Sequence, residues 1–388
     1  MNTLSEDIII RKSKLQAKLQ ESDIDACLLT TNVNLFYLTG LIYTGYYYLP
    51  KEGKPIHFVK RPNDIDLENT VYIRKPEQIV EELQKRGLSV PATILLETDS
   101  VPYSECNRII SSLENPKVEN ASTLMRTLRS IKTEFELSQV RECAKQHETV
   151  YSLIPTLYKK GMTDLQLQVE IEKQMRLHGS IGIFRSYGEN MDIYMGSLLV
   201  GENAETPSPF DFALGGQGVD PSLPLGCSNI EIEKGQTIMV DMAGNYRPWM
   251  TDMTRVFSFG KTSALAYKAH QVSIDIHNEI IETAKAGTSC SELYEIAMKY
   301  VKGNDLEEYF MGTKQQAKFV GHGVGLEINE PPVLTPRSKE TLKANIVFAL
   351  EPKFVIPNIG AVGIENTYIV HENGLEKATV FEESIIEL

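Results

Sequence analysis

The chain has 388 residues, of which 42% are hydrophobic and 23% charged, and its formal net charge is −13. This length exceeds what one hydrophobic core usually supports, so two domains are expected in a globular protein. The excess of acids disfavours nucleic acid and anionic membranes as partners, and no stretch approaches transmembrane length. Five scattered cysteines without a C-x-x-C pair, and an N-terminus without a secretory pattern, predict a reduced, cytoplasmic location.

Helix and strand patterns alternate over residues 1–128. A helix is predicted from Ser5 to about Glu21, because Ser5 and the acids after it are typical of a helix start. The strand-like segments "DACLLTT", "PIHFVK" and "ATILLE" alternate with the helical segments "PEQIVEELQKRG" and "SECNRIISSL". This alternation predicts an α/β domain with a mostly parallel sheet. We interpret the tyrosine-rich "LIYTGYYYLP" as an aromatic loop, with a substrate mouth or a dimer contact as alternatives.

The second part of the chain, residues 129–388, contains a weak internal echo. A long helical pattern begins near Thr133 and a second helix begins at Thr163, whereas residues 179–236 predict strands and long loops. The segment "KKGMTDLQLQVEIEKQM" is echoed by "KAGTSCSELYEIAMKYV". Unless this similarity is accidental, it predicts two related halves, each with a helix followed by strands, and a site at their junction.

Two aspartates stand in a predicted hairpin, "VDMAGNYRPWMTDMTRVF", on either side of its turn. An antiparallel pair of strands can bring Asp241 and Asp252 to one patch. Two adjacent carboxylates repel each other, and one takes up a proton unless a cation lies between them. The hairpin alone leaves a simpler alternative, in which one aspartate is a surface acid and the other a turn residue.

Three later segments carry further candidate ligands. His322 is flanked by glycines in "FVGHGVGLEINEPP", and Glu351 and Glu365 lie in the apolar runs "IVFALEPKFVI" and "GAVGIENTYIV". A glutamate in such a run is rarely tolerated without a partner. The alternatives are a packed core histidine and buried salt bridges to Lys or Arg, such as Arg255. Together, four carboxylates and one imidazole predict two divalent cations bridged by carboxylates and a water.

The order Asp241, Asp252, His322, Glu351, Glu365 resembles the ligand set of the pita-bread metallohydrolases, which include methionine aminopeptidase, aminopeptidase P, prolidase and creatinase. The segments "TTNVNLFYLTG" and "LRSIKTEFELSQVRECAK" resemble the creatinase and prolidase branch. The resemblance implies an α/β (α+β) chain with a creatinase-like N-terminal domain over residues 1–128. Residues 129–388 are then a catalytic domain with a pseudo-two-fold, curved antiparallel sheet backed by helices. A homodimer is implied as well.

The resemblance also implies a role for each ligand. Asp241 binds one metal, Asp252 and Glu365 bridge both metals, and His322 and Glu351 bind the second. Glu351 also exchanges a proton with the bridging water and the leaving amine. Oxygen ligands with one imidazole favour Mn²⁺, with Co²⁺, Fe²⁺ and Zn²⁺ as alternatives. The expected activity is that of a metallopeptidase resembling X-Pro aminopeptidases or dipeptidases, in which a metal-bridging hydroxide attacks the amide of a peptide.

Three positions depart from the peptidases of this branch. The glycine-rich stretch "GGQGVDPSLPLGCSNIEIEKG" lacks a histidine, Asn329 stands where a second histidine is usual, and Gly363 replaces an arginine. Asn329 can donate a hydrogen bond to the substrate, but it cannot relay a proton near neutral pH. Two alternatives therefore remain open. One is a hydrolase or lyase of a small amino-acid-like compound, with creatinase-like chemistry, and the other is an inactive scaffold that binds proteins or peptides.

Overall fold

Two units make up the chain in a computed structural model that describes residues 3–188, 194–210 and 212–388. The first unit is Met1–Arg129 and the second is Ser130–Leu388. Within the described ranges, no helix combines the length and the apolar character that a membrane crossing requires.

The first unit places helices around one sheet of six strands. In chain order its elements are α1 (Leu4–Gln20), β1 (Ala26–Leu29), α2 (Asn32–Thr39), β2 (Thr44–Pro50), β3 (Ile56–Arg61), β4 (Thr70–Tyr72), α3 (Gln78–Lys85), β5 (Thr93–Leu96), α4 (Tyr103–Ser112), β6 (Lys117–Asn120) and α5 (Ser122–Ser130). The strand order is β4-β3-β2-β1-β5-β6. The outer pairs are parallel, but β2 is antiparallel to both β1 and β3, so the sheet is mixed.

Two predictions for the first unit need correction. Helix α1 is capped by Thr3 rather than by Ser5, because the Thr3 hydroxyl accepts from the amide of Glu6 while the Glu6 carboxylate accepts from the amide of Thr3. The predicted aromatic loop is wrong, since Thr44–Pro50 form β2 inside the sheet, with its tyrosines buried. A strand that is buried on both faces shows no alternation of polar and apolar residues, which is why the pattern was missed.

The second unit combines antiparallel strands with long helices. Its elements are α6 (Glu134–Tyr151), α7 (Ile154–Leu157), α8 (Asp164–Leu177), β7 (Gly196–Val200), a 3₁₀ helix (Gly201–Glu205), β8 (Thr237–Gly244), β9 (Thr251–Ser258), α9 (Ala264–Thr283), α10 (Cys290–Gly303), β10 (Gly321–Gly323), β11 (Glu330–Val333), β12 (Val347–Leu350), β13 (Lys353–Ile356), β14 (Gly360–Gly363), β15 (Asn366–His371), β16 (Gly374–Lys377) and β17 (Ile386–Glu387).

The strands of the second unit form two larger sheets and a hairpin. The sheets have the orders β11-β10-β12-β15-β16 and β17-β9-β8-β7, and the hairpin is β13-β14. A β-bridge between Thr254 and Glu365 joins β9 to the segment ahead of β15. One hydrophobic core packs α6 and α8 against β7, β8 and β9, and another packs α9 and α10 against β12 to β15. Each half of the predicted echo therefore has its own helices and its own strands.

The hairpin β13-β14 brings two backbones close together at Gly363. Gly363 pairs with Lys353 and has a φ of +121°, a conformation that residues with a side chain rarely adopt. A Cβ atom added there would lie 2.6 Å from the carbonyl oxygen of Pro352 and 3.0 Å from the Cα atom of Lys353. The backbone therefore requires glycine at this position, where the family resemblance implies an arginine in dipeptidases.

We expect Gly363→Ala to lower the free energy of unfolding by about 1–3 kcal/mol, because the methyl group adds backbone strain and a steric clash. Gly374→Ala is the matched control, since nothing lies within 4 Å of a Cβ atom at that position. Urea unfolding of both variants measures the difference. Equal stability of the two variants would contradict the assignment of strain to Gly363.

Candidate active site

The hairpin β8-β9 places two acids on one face of its sheet. Asp241 pairs with Thr254, and Asp252 pairs with Ala243. Asp252 and Thr254 are two residues apart on the same strand, so their side chains point to the same face. Asp241 and Asp252 are therefore diagonal neighbours across the strand pair, a spacing at which side chains interact.

The other three candidates come from the second sheet of the same unit. His322 lies on β10 opposite Ala349 of β12. Glu351 directly follows β12, and Glu365 directly precedes β15. The bridge between Glu365 and Thr254 brings these strand ends to the aspartate hairpin. The side chains thus project from strands and strand ends, which hold them more rigidly than loops would.

Three of the predicted ligands form a group of the size that a single metal ion requires. Asp252, His322 and Glu365 each offer one donor atom, and these atoms all lie within 4.8 Å of one another. The Nε2 atom of His322 is 3.9 Å from Oδ2 of Asp252 and 3.4 Å from Oε1 of Glu351. Asp241 and Glu351 belong to the same site, but each forms an ion pair with a residue outside the predicted ligand set.

That partner is Lys353, which the sequence analysis did not consider. Its ammonium nitrogen lies 2.8 Å from Oδ2 of Asp241, 2.8 Å from Oε2 of Glu351 and 2.9 Å from Oε2 of Glu365. The side chain of Lys353 is only 1% exposed. The sequence did contain a signal, because a lysine two residues after Glu351 in an apolar run points to the same side of an extended chain.

Arg255, the partner named for the glutamates in the salt-bridge alternative, binds elsewhere. Its guanidinium donates to the carbonyl oxygens of Thr254 and Glu365 and to the side chain of Asn366. It therefore fixes the backbone that carries Glu365 and leaves the carboxylate alone. The salt-bridge alternative holds in part, but through Lys353 and for three of the four acids.

The carboxylate of Glu365 supplies the test of whether a cation fits. Its Oε2 atom accepts from the Thr254 hydroxyl at 2.7 Å and from Lys353. Its Oε1 atom is buried and has no hydrogen-bond partner among the described residues. A buried acceptor without a partner is costly, whereas a cation or a proton satisfies it. The donors of Asp252, His322 and Glu365 thus fit one divalent ion, while Oδ2 of Asp241 accepts from Lys353.

Burial and crowding displace the pKa values of these groups. Burial, with the charge of Asp241 added, raises the pKa of Asp252 to about 8, and burial with the charge of Asp252 raises the pKa of Glu365 well above its usual range. Burial lowers the pKa of His322, but the hydrogen bond to Glu351 and nearby acids outweigh it and raise that pKa to about 10. The metal-free site therefore retains protons near neutral pH.

Burial also acts on Glu351, with the opposite outcome. Desolvation alone would raise the pKa of Glu351, but the charge of Lys353 and the hydrogen bond from His322 lower it to about 2. Glu351 is therefore ionised over the whole physiological range.

A cavity of about 90 Å³ opens onto the acids, enough for several water molecules or part of a small ligand. Its apolar walls are formed by Phe184, Ala213, Leu214, Leu225, Phe319 and Ile328, among others. Asn329 also lines the cavity, and its amide both donates to the carbonyl of Tyr187 and accepts from the amide of Tyr187, each at 2.7 Å. Asn329 thus holds the segment that carries Phe184.

An acid-rich site with one imidazole, reached through a small apolar cavity, is typical of a metal-dependent hydrolase. Sequence comparison identifies the chain within that class. It belongs to metallopeptidase family M24, whose sequence model matches residues 138–372. A second model, the creatinase/prolidase N-terminal domain, matches residues 11–131. The chain is thus a two-domain metallopeptidase with a pita-bread second domain, which confirms the predicted family and fold class.

Relatives and solved structures agree with this family. The chain is 24% identical to a Xaa-Pro dipeptidase of Pyrococcus horikoshii over 98% of this chain and 100% of the relative. It is similar in fold to an X-Pro aminopeptidase of Thermotoga maritima, with a TM-score of 0.80 at 20% identity, covering 97% of this chain and 99% of the other. A Xaa-Pro dipeptidase of Bacillus anthracis also gives a TM-score of 0.80, at 21% identity, covering 98% and 100%.

The displaced pKa values predict how the stability of the metal-free protein depends on pH. Asp252 and His322 both have a folded-state pKa above the ordinary value, so each contributes stability that is lost as pH rises through the folded pKa. We expect the free energy of unfolding to fall between pH 7 and pH 9, by up to about 1.4 kcal/mol per pH unit for each proton involved. Four buried histidines with a pKa lowered to about 3–4 act in the opposite direction, but only below about pH 6.5. Urea titrations in EDTA from pH 7 to pH 9 measure the slope.

The control for this prediction is Asp252→Asn, which removes one of the titrations with a raised pKa and should flatten the slope. Glu351 does not interfere, because its lowered pKa places its own effect below about pH 4.5. A stability that stays constant or rises from pH 7 to pH 9 would contradict the assigned protonation of the site.

Proposed function

We propose that this metallopeptidase removes the N-terminal residue from X-Pro peptides, using a divalent cation bound by Asp252, His322 and Glu365. The observation that carries the proposal is the Oε1 atom of Glu365, which is buried and has no hydrogen-bond partner among the described residues. It lies beside the carboxylate of Asp252 and the imidazole of His322, at the bottom of a cavity. The names of the relatives support the substrate class, since several are Xaa-Pro dipeptidases. Mn²⁺ is the proposed ion because the donor set is oxygen-rich with one imidazole.

The chemistry divides between the cation and the side chains. When bound, a divalent cation makes water nucleophilic near neutral pH and polarises a carbonyl group. Glu351 is ionised and lies beside His322, so it accepts a proton from the attacking water and passes it to the leaving nitrogen. The apolar walls, including Phe184 and Phe319, exclude water and pack against the proline ring or its neighbour.

The pair of cations and the bridging hydroxide that the sequence predicts need Asp241 as a further ligand. Asp241 is bound to the ammonium of Lys353. We therefore propose the site with one cation. The alternatives, a hydrolase or lyase of a small amino-acid-like compound and an inactive binding scaffold, are separated from this proposal by the substrate and metal-binding tests below.

The cavity also bears on substrate length. No lysine or arginine is among the described residues that line it, and the residues outside the described ranges include no basic side chain. The free carboxylate of an X-Pro dipeptide would therefore lack a positive partner, whereas a longer peptide carries no charge at that point. This supports an aminopeptidase that acts on longer X-Pro peptides over a dipeptidase.

We also propose a cytoplasmic location and a homodimer. The location is supported by the five cysteines, which are all free thiols and buried. The homodimer rests on the family resemblance.

In a panel of Mn²⁺-loaded assays, we expect kcat/KM for X-Pro-Y tripeptides to exceed that for X-Pro dipeptides about tenfold or more. The reason is that a charged hydrogen bond of about 1.5–3 kcal/mol is missing for the dipeptide carboxylate. Peptides with alanine in place of proline are the controls. Faster cleavage of dipeptides would contradict the proposed length preference. Turnover of small non-peptide amides, with none across the panel, would favour the first alternative.

Glu351→Gln should lower kcat by about 10²–10⁴-fold, because the amide cannot exchange the proton. Its Mn²⁺ content should stay unchanged, since Glu351 is not one of the three proposed ligands. Glu372→Gln, at an exposed residue, is the matched control. Loss of Mn²⁺ together with activity would instead make Glu351 a metal ligand.

A further inference from the structure

The ammonium group of Lys353 is fully engaged with the acids of the site. An ammonium has three N–H donors, and three carboxylate oxygens accept from this one at 2.8 Å, 2.8 Å and 2.9 Å. The acceptors belong to Asp241, Glu351 and Glu365. No donor is left over, so the side chain is bound as a charge-compensating group at the centre of three acids.

The backbone of Lys353 is fixed on both sides. It pairs with Gly363 across the hairpin β13-β14, and its carbonyl oxygen accepts from the amide of Met311 at 2.8 Å. The side chain is buried along its whole length. Because the backbone of Lys353 is paired on both sides and its aliphatic stem is buried, its ammonium group has a defined position.

A metal ion cannot share that position. Divalent cations bind carboxylate oxygens at about 2.0–2.6 Å, and paired cations in hydrolases lie about 3.5–4 Å apart. A cation bound by Oδ2 of Asp241 and Oε2 of Glu365 would contact the same oxygens that now accept from Lys353. It would meet a positive charge at close range in a buried site, where repulsion is screened little.

The oxygens that Lys353 leaves free lie on the other side of the site. Glu365 directs Oε2 to Lys353 and keeps Oε1 without a partner, and Asp252 is not among the acceptors of Lys353. One divalent ion on that side, together with the ammonium, nearly balances the four carboxylates. A second divalent ion would need the ammonium to leave three acids, of which Glu351 and Glu365 are buried and Asp241 is partly exposed.

We propose that Lys353 occupies one of the two cation positions, so that the site binds a single divalent ion through Asp252, His322 and Glu365. This rests on the proposed metal site, but it concerns the number of ions and not the reaction. Asp241 is then a partner of Lys353 and not a metal ligand. The ammonium group of Lys353, with a single positive charge, takes the place of the second divalent ion.

Calorimetric titration of the metal-free chain with Mn²⁺, with metal analysis after dialysis, tests the count. We expect one equivalent for the native chain and for Lys343→Met, which changes an exposed lysine. Lys353→Met keeps the aliphatic stem but frees the three acids, so it should bind two equivalents. The electron paramagnetic resonance spectrum should change from that of isolated Mn²⁺ to that of an exchange-coupled pair.

Two equivalents in the native chain, or one in a folded Lys353→Met, would overturn the proposal. If Lys353→Met does not fold, Asp241→Asn decides. It should keep one equivalent with less than about a threefold change in Kd, whereas in a two-ion site it would reduce the count from two to one. Asp252→Asn should abolish binding. Absence of Mn²⁺ binding in the native chain would instead reject the proposed metal site itself. Failure of the metal site and failure of the single-ion count are therefore distinguishable.

Discussion

Mutual repulsion among buried carboxylates is the constraint on which the second unit depends. Glu351 and Glu365 are almost completely buried, and Asp252 is nearly so. Such acids stay together only if positive charge or protons compensate them. Lys353 supplies one charge permanently, and it keeps Glu351 ionised while Asp252 and Glu365 retain affinity for protons. The excess of negative charge that makes the metal-free site retain protons also favours the binding of a divalent ion.

The fold places these charges by joining two strand systems at their ends. The hairpin β8-β9 supplies both aspartates, and the sheet that contains β10, β12 and β15 supplies the histidine and both glutamates. The bridge from Thr254 to Glu365 and the guanidinium of Arg255 hold the two systems together at that point. Because each ligand sits on or beside a paired strand, the site is preorganised before any ion binds.

Sequence patterns predicted the set of acids because burial of a charge within an apolar strand is rare enough to be informative. Asp241 and Asp252 were also predicted to share a patch, since strand geometry alone relates them. Lys353 was missed because one lysine after a proline resembles an ordinary strand end, and its burial depends on contacts from three separate segments. The hydrogen bonds between Asn329 and the backbone of Tyr187 were not predicted for the same reason, because the two residues are far apart in the sequence.

Lys353 and Gly363 are directly paired across β13-β14, so the buried charge and the glycine belong to one hairpin. The family resemblance implies an arginine at the position of Gly363 in dipeptidases, where it could hold a substrate carboxylate. Here the φ of +121° and the nearby Pro352 carbonyl allow only glycine, and the positive charge comes from the opposite strand. That charge is directed at the acids and not at the cavity. The cavity lining, which includes no basic side chain among the described residues, and the ammonium that we propose in place of a second ion thus both relate to this hairpin.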